Sequence, residues 1–298
     1  MWFLYTLASI ILMALVLYTD EHLATSNKLP EGGDIHTKVG SVLLISTLMS
    51  FVGAGIIAFI VKDTQLDPYP MTLAIISSIP MVIMFGSYFY LLQIFPVSQV
   101  GPIFQISTIW LLIFELFDGG TISVNGLIAM AILMYGAYIL DAGTFKWQVP
   151  TKLLTWGIPI TGIAAVPMYM ARVASRYGSS SAFSFYQLIG IGCIGILIFI
   201  FAKRYRDGFL YRIKHQGKKF LTFSLFNEMF AEGSVWLGNI AVAIAPVGAY
   251  VSVMNGAQSL FVLLLLWLFP IGNRSKPNSY QWVAIALITI GVILLERK

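Results

Sequence analysis

Ser224, Glu228 and Glu232 stand at i, i+4 and i+8 in the stretch FLTFSLFNEMFAEGSVWLGNIAVAI (220–244), and Asn239 follows seven residues later. In a helix this spacing puts all four near one face. The surrounding residues are apolar enough for hydrocarbon, where a carboxyl is costly and needs a cavity or a polar partner. Asn227 places an amide beside Glu228. Two carboxyls one turn apart in a low-dielectric setting repel when both are ionised, so the pair is expected to titrate as a unit and to hold one proton near neutral pH. Such a site can exchange a proton for a cation, or load and release protons during a cycle. The competing reading is two neutral acids that only hydrogen-bond neighbouring helices.

Other polar residues recur on apolar segments. Gln105 and Thr108 are spaced i, i+3, and Ser252, Asn255 and Gln258 share a face at the same interval. They line the cavity of the two acids or supply interhelical hydrogen bonds. Arg172, near the end of its segment, is a candidate to neutralise a carboxylate or bind an anionic substrate group; the alternative is that it snorkels to the headgroups. Glu115 and Asp118 are expected at the interface, as are Asp20, Glu21 and His22. His22 and His36 with these acids do not make a metal site. Gly190-Ile-Gly192-Cys-Ile-Gly195 matches GxGxxG, but it lies within an apolar segment with no strand before it. Close helix contact explains it better than a dinucleotide. SRYGSSS reads as a loop with turn chemistry.

These residues need a scaffold that lives in lipid. Of 298 residues 58% are hydrophobic and 10% charged, against about 25% charged in a soluble domain. Mean hydropathy is +0.84. A bilayer core about 30 Å thick takes roughly 20 apolar residues per helix. Ten such segments are expected: 2–19, 39–61, 70–94, 97–117, 121–141, 153–173, 181–202, 220–243, 246–270 and 279–295. Backbone groups in hydrocarbon must pair within their own segment, so the fold class is an all-α membrane protein. The first segment lacks a basic n-region and is expected as an uncleaved span. Pro159 and Pro167 should kink the sixth segment, and Pro80 the third. A lone Cys193 allows no intrachain disulfide.

The chain is written twice. Pro96-Val97 and Pro246-Val247 each precede an apolar helix, a polar turn and a final helix, with Gly136 and Gly291 at matching places in the last. The halves 1–146 and 147–298 therefore read as two five-helix repeats. An odd number of spans per repeat makes the second copy begin on the opposite side, so the repeats are inverted, with a site expected between them. The excess of positive charge, +5, is concentrated in 203–219, read as a loop. Thirteen of the eighteen Lys and Arg follow odd-numbered spans, seven of them in that loop, and five lie opposite. The positive-inside rule then puts the loop in the cytoplasm and both termini outside. This asymmetry is a topology signal, and no nucleic-acid partner is expected.

The ten spans, the two repeats and the Pro-Val hairpins, most specifically PVSQVGPIFQISTIW (96–110), SLFNEMFAEGS and APVGAYVSVMNGAQSLFVLLL, resemble the drug/metabolite transporter superfamily, in particular its EamA-like branch. The resemblance implies a central cavity among the third, fourth, eighth and ninth helices, holding Gln105, Glu228, Glu232, Asn255 and Gln258. It also implies cytoplasmic termini, against the charge count. The expected function is secondary transport of a small organic metabolite by alternating access, with proton coupling through Glu228 and Glu232 as a hypothesis, in the cell membrane and without a cofactor. A flippase for a lipid-linked substrate with the same fold is the alternative. An intramembrane enzyme or a sensor is a third reading; the spans hold no nucleophile–base pair or metal spacing, and the chain has no soluble output domain.

Overall fold

The computed structural model describes residues 1–25, 34–95, 97–146, 149–268 and 279–296. Helix accounts for 87% of the structure, with no strand among the described residues. The helices are α1 (Trp2–Thr25), α2 (Ile35–Val61), α3 (Pro68–Leu92), α4 (Val97–Phe104), α5 (Ser107–Phe117), α6 (Val124–Ala142), α7 (Thr151–Ala174), α8 (Ser180–Phe201), α9 (Lys203–Ile244), α10 (Gly248–Met254), α11 (Gln258–Leu268) and α12 (Ser279–Glu296). A 3-10 turn, Asn255–Ala257, joins α10 to α11. Seven of the helical stretches are long and apolar enough to cross a membrane. The described residues are thus consistent with an all-α membrane protein.

Two of the ten expected segments are interrupted. The fourth is split into α4 and α5 at Gln105–Ile106, where Ile106 N–H bonds back to Ile103 O and Thr108 N–H to Gln105 O, a tightening to i−3 bonds. The ninth is split by the 3-10 turn at Asn255–Ala257. Tight turns in mid-helix mark hinges or strained sequence. Pro80, Pro159 and Pro167 lie inside helices that run on through them. The connections 93–96 and 245–247 are short, as the Pro-Val motifs predict, although Pro96 itself lies outside the described residues.

Lipid offers no hydrophobic drive for helices to associate, so contact depends on close packing by small residues. Gly190 of α8 lies where a Cβ would sit 2.3 Å from Ser78 Oγ on α3, and Gly195 where it would sit 2.6 Å from Thr47 Oγ1 on α2. The GxGxxG run is therefore a packing surface. At the α6–α12 crossing, Gly136 takes Ile288 and Gly291 takes Leu133. Each glycine receives the residue three before the other, a reciprocal contact.

The packing order has the same reciprocity. The first five segments are α1, α2, α3, α4–α5 and α6; the second five are α7, α8, the second part of α9, α10–α11 and α12. α1 packs on α9 as α7 packs on α3; α2 packs on α9 as α8 packs on α3; α1 packs on α11 as α7 packs on α5. The pairs α2–α8, α5–α10 and α6–α12 join equivalent members.

The stretch 203–219, expected as a loop, is helical through its first part. α9 runs from Lys203 to a break at Gly217, whose φ of 56° favours glycine, and then continues as the apolar span. The first part packs on the start of α2: a Cβ on Gly208 would meet Thr37 O at 2.1 Å, and the Tyr205 ring stacks on His36. Arg212, on the same face, is 2% exposed with Nη1 3.5 Å from Ser41 Oγ, and burial pushes its pKa down to about 10. Net charge and low hydropathy hid an amphipathic helix whose buried face is Tyr205, Gly208 and Arg212. Asp34 caps α2 by accepting from Thr37 N–H and Oγ1, which holds its carboxyl below the usual range.

Substituting Gly208→Ala should force the arm off α2 and destabilise the protein by about 1–3 kcal/mol. Gly55→Ala, with open space around it, should be neutral or slightly stabilising. Thermal unfolding in detergent compares the two.

Candidate functional site

The acids of α9 face α2. Ser46 Oγ donates to Glu228 Oε1 at 2.6 Å, and Ser50 Oγ donates to Glu232 Oε1 at 2.5 Å. Both ladders step by four residues, so one serine stripe meets one glutamate stripe at the middle of α2. Gly53, below Ser50, leaves room for the Glu232 stem, which a Cβ would approach to 3.0 Å. Ser224, one turn before Glu228, is buried with no hydrogen-bond partner for its hydroxyl among the described residues. Asn227 turns the other way, to α1, where its Oδ1 accepts from Thr19 Oγ1. Asn239 donates to Ser184 Oγ and Gln187 Oε1 on α8, both at 3.0 Å, and Gln187 donates on to Ser77 of α3. Ser9 and Ser234 add a reciprocal pair, each hydroxyl donating to the other's carbonyl at 2.8 and 2.9 Å. The polar residues of the α9 span thus reach α1, α2 and α8 in turn.

A second grouping lies where the interrupted helices cross. Thr108 of α5 and Ser252 of α10 share a hydrogen bond of 2.9 Å, both buried. Gln105, at the α4–α5 interruption, lies against Gly256 in the other interruption; a Cβ there would sit 3.1 Å from Gln105 Oε1. That oxygen is buried with no hydrogen-bond partner among the described residues. Asn255 opens the 3-10 turn and Gln258 begins α11, both part-buried. The matched stripes of the two segments are therefore brought together. Glu228 and Glu232 have α2 as their serine-bearing partner, so the candidate residues form two groupings with different helix neighbours.

Arg172 belongs to neither. Its Nη1 donates to Val242 O, Ala243 O and Ala245 O at 2.7, 3.1 and 2.6 Å, and its Nη2 to Pro246 O at 3.1 Å. These carbonyls end α9, where four acceptors lack an intrahelical donor and the dipole favours a cation. Three residues on, Glu115 accepts from the first amides of α10, Gly248 N–H at 2.7 Å and Ala249 N–H at 3.1 Å. Glu115 Oε1 lies 3.7 Å from Arg172 Nε. Glu115 is 7% exposed among these contacts. One ion pair thus caps both ends of the α9–α10 hairpin. Asp118 pairs with Arg176 beside it, and a pocket of about 60 Å³, room for a few waters, lies between the two pairs. The side chains of Asp20, Glu21 and His22 lie outside the described residues.

Sequence reasoning missed Asp141. It closes α6 in YILDAG and resembles a helix-end residue facing water. It is instead part-buried against α4, where a Cβ on Gly101 would lie 3.0 Å from Asp141 Oδ2. The signal available was a single acid at the end of an otherwise uncharged segment.

No family model and no curated protein matches the chain. Among solved structures, one crystal structure of a protein aligns over 97% of this chain and 94% of its own, with a TM-score of 0.64 and 16% identity. The fold as a whole is therefore one already seen in a crystal.

Arg172→Ala should leave Glu115 buried without its counter-ion and strip the donor from four carbonyls, costing about 3 kcal/mol. Arg176→Ala, at the exposed pair, should cost less than about 1 kcal/mol. Equilibrium unfolding of the two variants in mixed micelles checks the contrast.

Proposed function

We propose that the chain is a secondary transporter for a small organic metabolite, an EamA-like member of the drug/metabolite transporter superfamily in the cell membrane. In this reading ten spans form two inverted five-helix repeats that work by alternating access. One observation carries it: two helices are interrupted at matching points, and their interruptions meet, Gln105 against Gly256. Loosened backbone at membrane depth is tolerated where it is sheathed in protein or borders a watery passage, and paired discontinuous helices are how transporters build a midplane site. The packing order supports the repeats, since exchanging the first five segments for the second five carries the α1–α9, α2–α9 and α1–α11 contacts onto α7–α3, α8–α3 and α7–α5. The reciprocal Gly136–Ile288 and Gly291–Leu133 contacts fit a two-fold axis through that crossing.

The same reading assigns Glu228 and Glu232 to proton coupling. Their serine partners offer a neutral acceptor to a protonated acid and a donor to an ionised one, so the ladder can hold either state. A flippase would need a free basic headgroup site, and the Arg172 donors are committed to backbone carbonyls and Glu115.

Purified protein should be screened against metabolites by thermal shift, and the hits tested for uptake into liposomes. Glu228→Gln with Glu232→Gln should abolish accumulation driven by a pH gradient while leaving counterflow exchange. Unaltered accumulation in the double variant removes the coupling role. An absence of uptake for every stabilising compound removes the transporter reading.

A further inference from the structure

The first part of α9 lies across one end of the bundle. α2 and α8 run antiparallel: a Cβ on Gly192 would meet the Phe51 ring at 2.7 Å, and one on Gly195 would meet Thr47 Oγ1 at 2.6 Å. Continuing that register sets Phe201, where α8 ends, level with the second turn of α2. α2 and the span of α9 run parallel, with Ser46 on Glu228 and Ser50 on Glu232. That register sets Lys218 level with His36. The arm from Lys203 to Gly217 is therefore held between two joints at the same height. At the first, Ala202 leaves the helix with φ −96° and ψ 79°, and Phe209 turns back to meet Phe199 edge-on with ring centroids 6.1 Å apart. At the second, Gly217 turns the chain into the apolar span.

Between the joints the arm crosses α2. Tyr205, Gly208 and Arg212 cover about 10 Å of arm. Their contacts on α2 are Gly40, Thr37 and Ser41, which follow no order along that helix. α2 has 27 residues, about 40 Å of helix, against a bilayer core of about 30 Å. The excess falls at its polar start, His36-Thr37-Lys38. A helix laid across that start lies at the level of the lipid headgroups.

The outward face of the arm is built for that level. Lys203, Asp207, Leu210 and Lys214 stand at i, i+4, i+7 and i+11, opposite the docked residues, and all four are exposed. Lys218 is exposed just past the second joint. Arg204 pairs with Asp34 at 3.3 Å, whereas Lys203, Lys214 and Lys218 have no ion pair among the described residues. Residues 203–219 hold seven basic residues and one acid against a net charge of +5 for the whole chain, so the charges elsewhere nearly cancel. Among these cations Leu210 and Phe201 are 47% and 79% exposed. Cations beside exposed apolar side chains, on a helix in the plane of the headgroups, match a lipid surface in both respects: phosphates for the one, the acyl boundary for the other.

We propose that the arm of α9 is a docking surface for anionic phospholipid headgroups, with Lys203, Lys214 and Lys218 contacting phosphate and Leu210 set at the acyl boundary. The inference goes beyond the transporter reading and requires only that the bundle sit in a bilayer.

The full chain is reconstituted in phosphatidylcholine bilayers with a trace of spin-labelled phosphatidylglycerol or spin-labelled phosphatidylcholine. Electron paramagnetic resonance then gives the fraction of each probe held at the protein. Phosphatidylglycerol should be preferred by about twofold or more at about 20 mM salt, and the preference should fall towards one at about 1 M, where screening acts within about 3 Å. Changing Lys203, Lys214 and Lys218 together to Gln should remove the preference, and changing the same three to Arg should keep it. Changing Lys62, Lys146 and Lys152 to Gln removes as much charge elsewhere and should leave most of the preference. No preference in the wild type, or a preference that salt does not weaken, overturns the docking surface without recourse to a variant. A preference that the arm Gln variant keeps, or one lost equally in both Gln variants, overturns it too. Lipid preference without metabolite uptake leaves this surface standing and removes the transport role, and uptake without lipid preference does the reverse.

Discussion

A polar group inside hydrocarbon must find its partner within the protein, and nearly every feature of this bundle follows from that requirement. Helix satisfies the backbone everywhere except at ends and interruptions. Where α9 ends and α10 begins, three residues apart, the orphan carbonyls and amides face each other across 245–247. Arg172 answers the carbonyls and Glu115 the amides, and the two side chains then offset one another's charge. A lone arginine or a lone glutamate would leave one helix end unsatisfied and a charge stranded. The hairpin and the ion pair are therefore one unit.

Side chains obey the same requirement by a different route. The polar groups of the α9 span bond to three different helices: Asn227 to α1, the two acids to α2, Asn239 to α8. Ser, Thr and Gly supply the close approach that these bonds need. In lipid such bonds are worth about 0.6–2 kcal/mol each, because a helix adrift in the bilayer also finds partners. Their larger effect is on register: sliding α9 by one residue along α2 would break the Ser46–Glu228 and Ser50–Glu232 bonds together.

The helices were legible in the sequence because apolar length is a direct consequence of bilayer thickness. The interruptions of the fourth and ninth segments were legible only as polar stripes, since Gln105 and Asn255 show where polarity sits and not that the ladder tightens there. The arm of α9 was hidden because Lys and Arg dominate its hydropathy, while the residues that dock it, Gly208 and Tyr205, act through shape. Arg172 showed as a cation near a segment end, but four of its acceptors are backbone carbonyls, which have no letter in the sequence. Asp141 was passed over, and the covering of Glu115 by its neighbours was not legible, for a related reason. Distance along a segment measures depth only for a straight isolated helix, whereas burial depends on which neighbour covers the end.

The Glu115–Arg172 junction also breaks the likeness of the halves. Overlaying Pro96 on Pro246 sets Leu265 where the first half has Glu115, and the sixth segment's Arg172 falls on Glu21 of the first. A bundle with perfectly equivalent halves would have two mirror conformations of equal energy. Here an ion pair ties α5 and α7 to the tip of the α9–α10 hairpin at one end alone. If the halves rock against each other, α5, α7 and that hairpin must travel as a rigid block, or the junction must open and expose a charge in oil. The second course costs several kcal/mol. The Thr108–Ser252 bond between α5 and α10 places the crossing of the two interrupted helices inside that block.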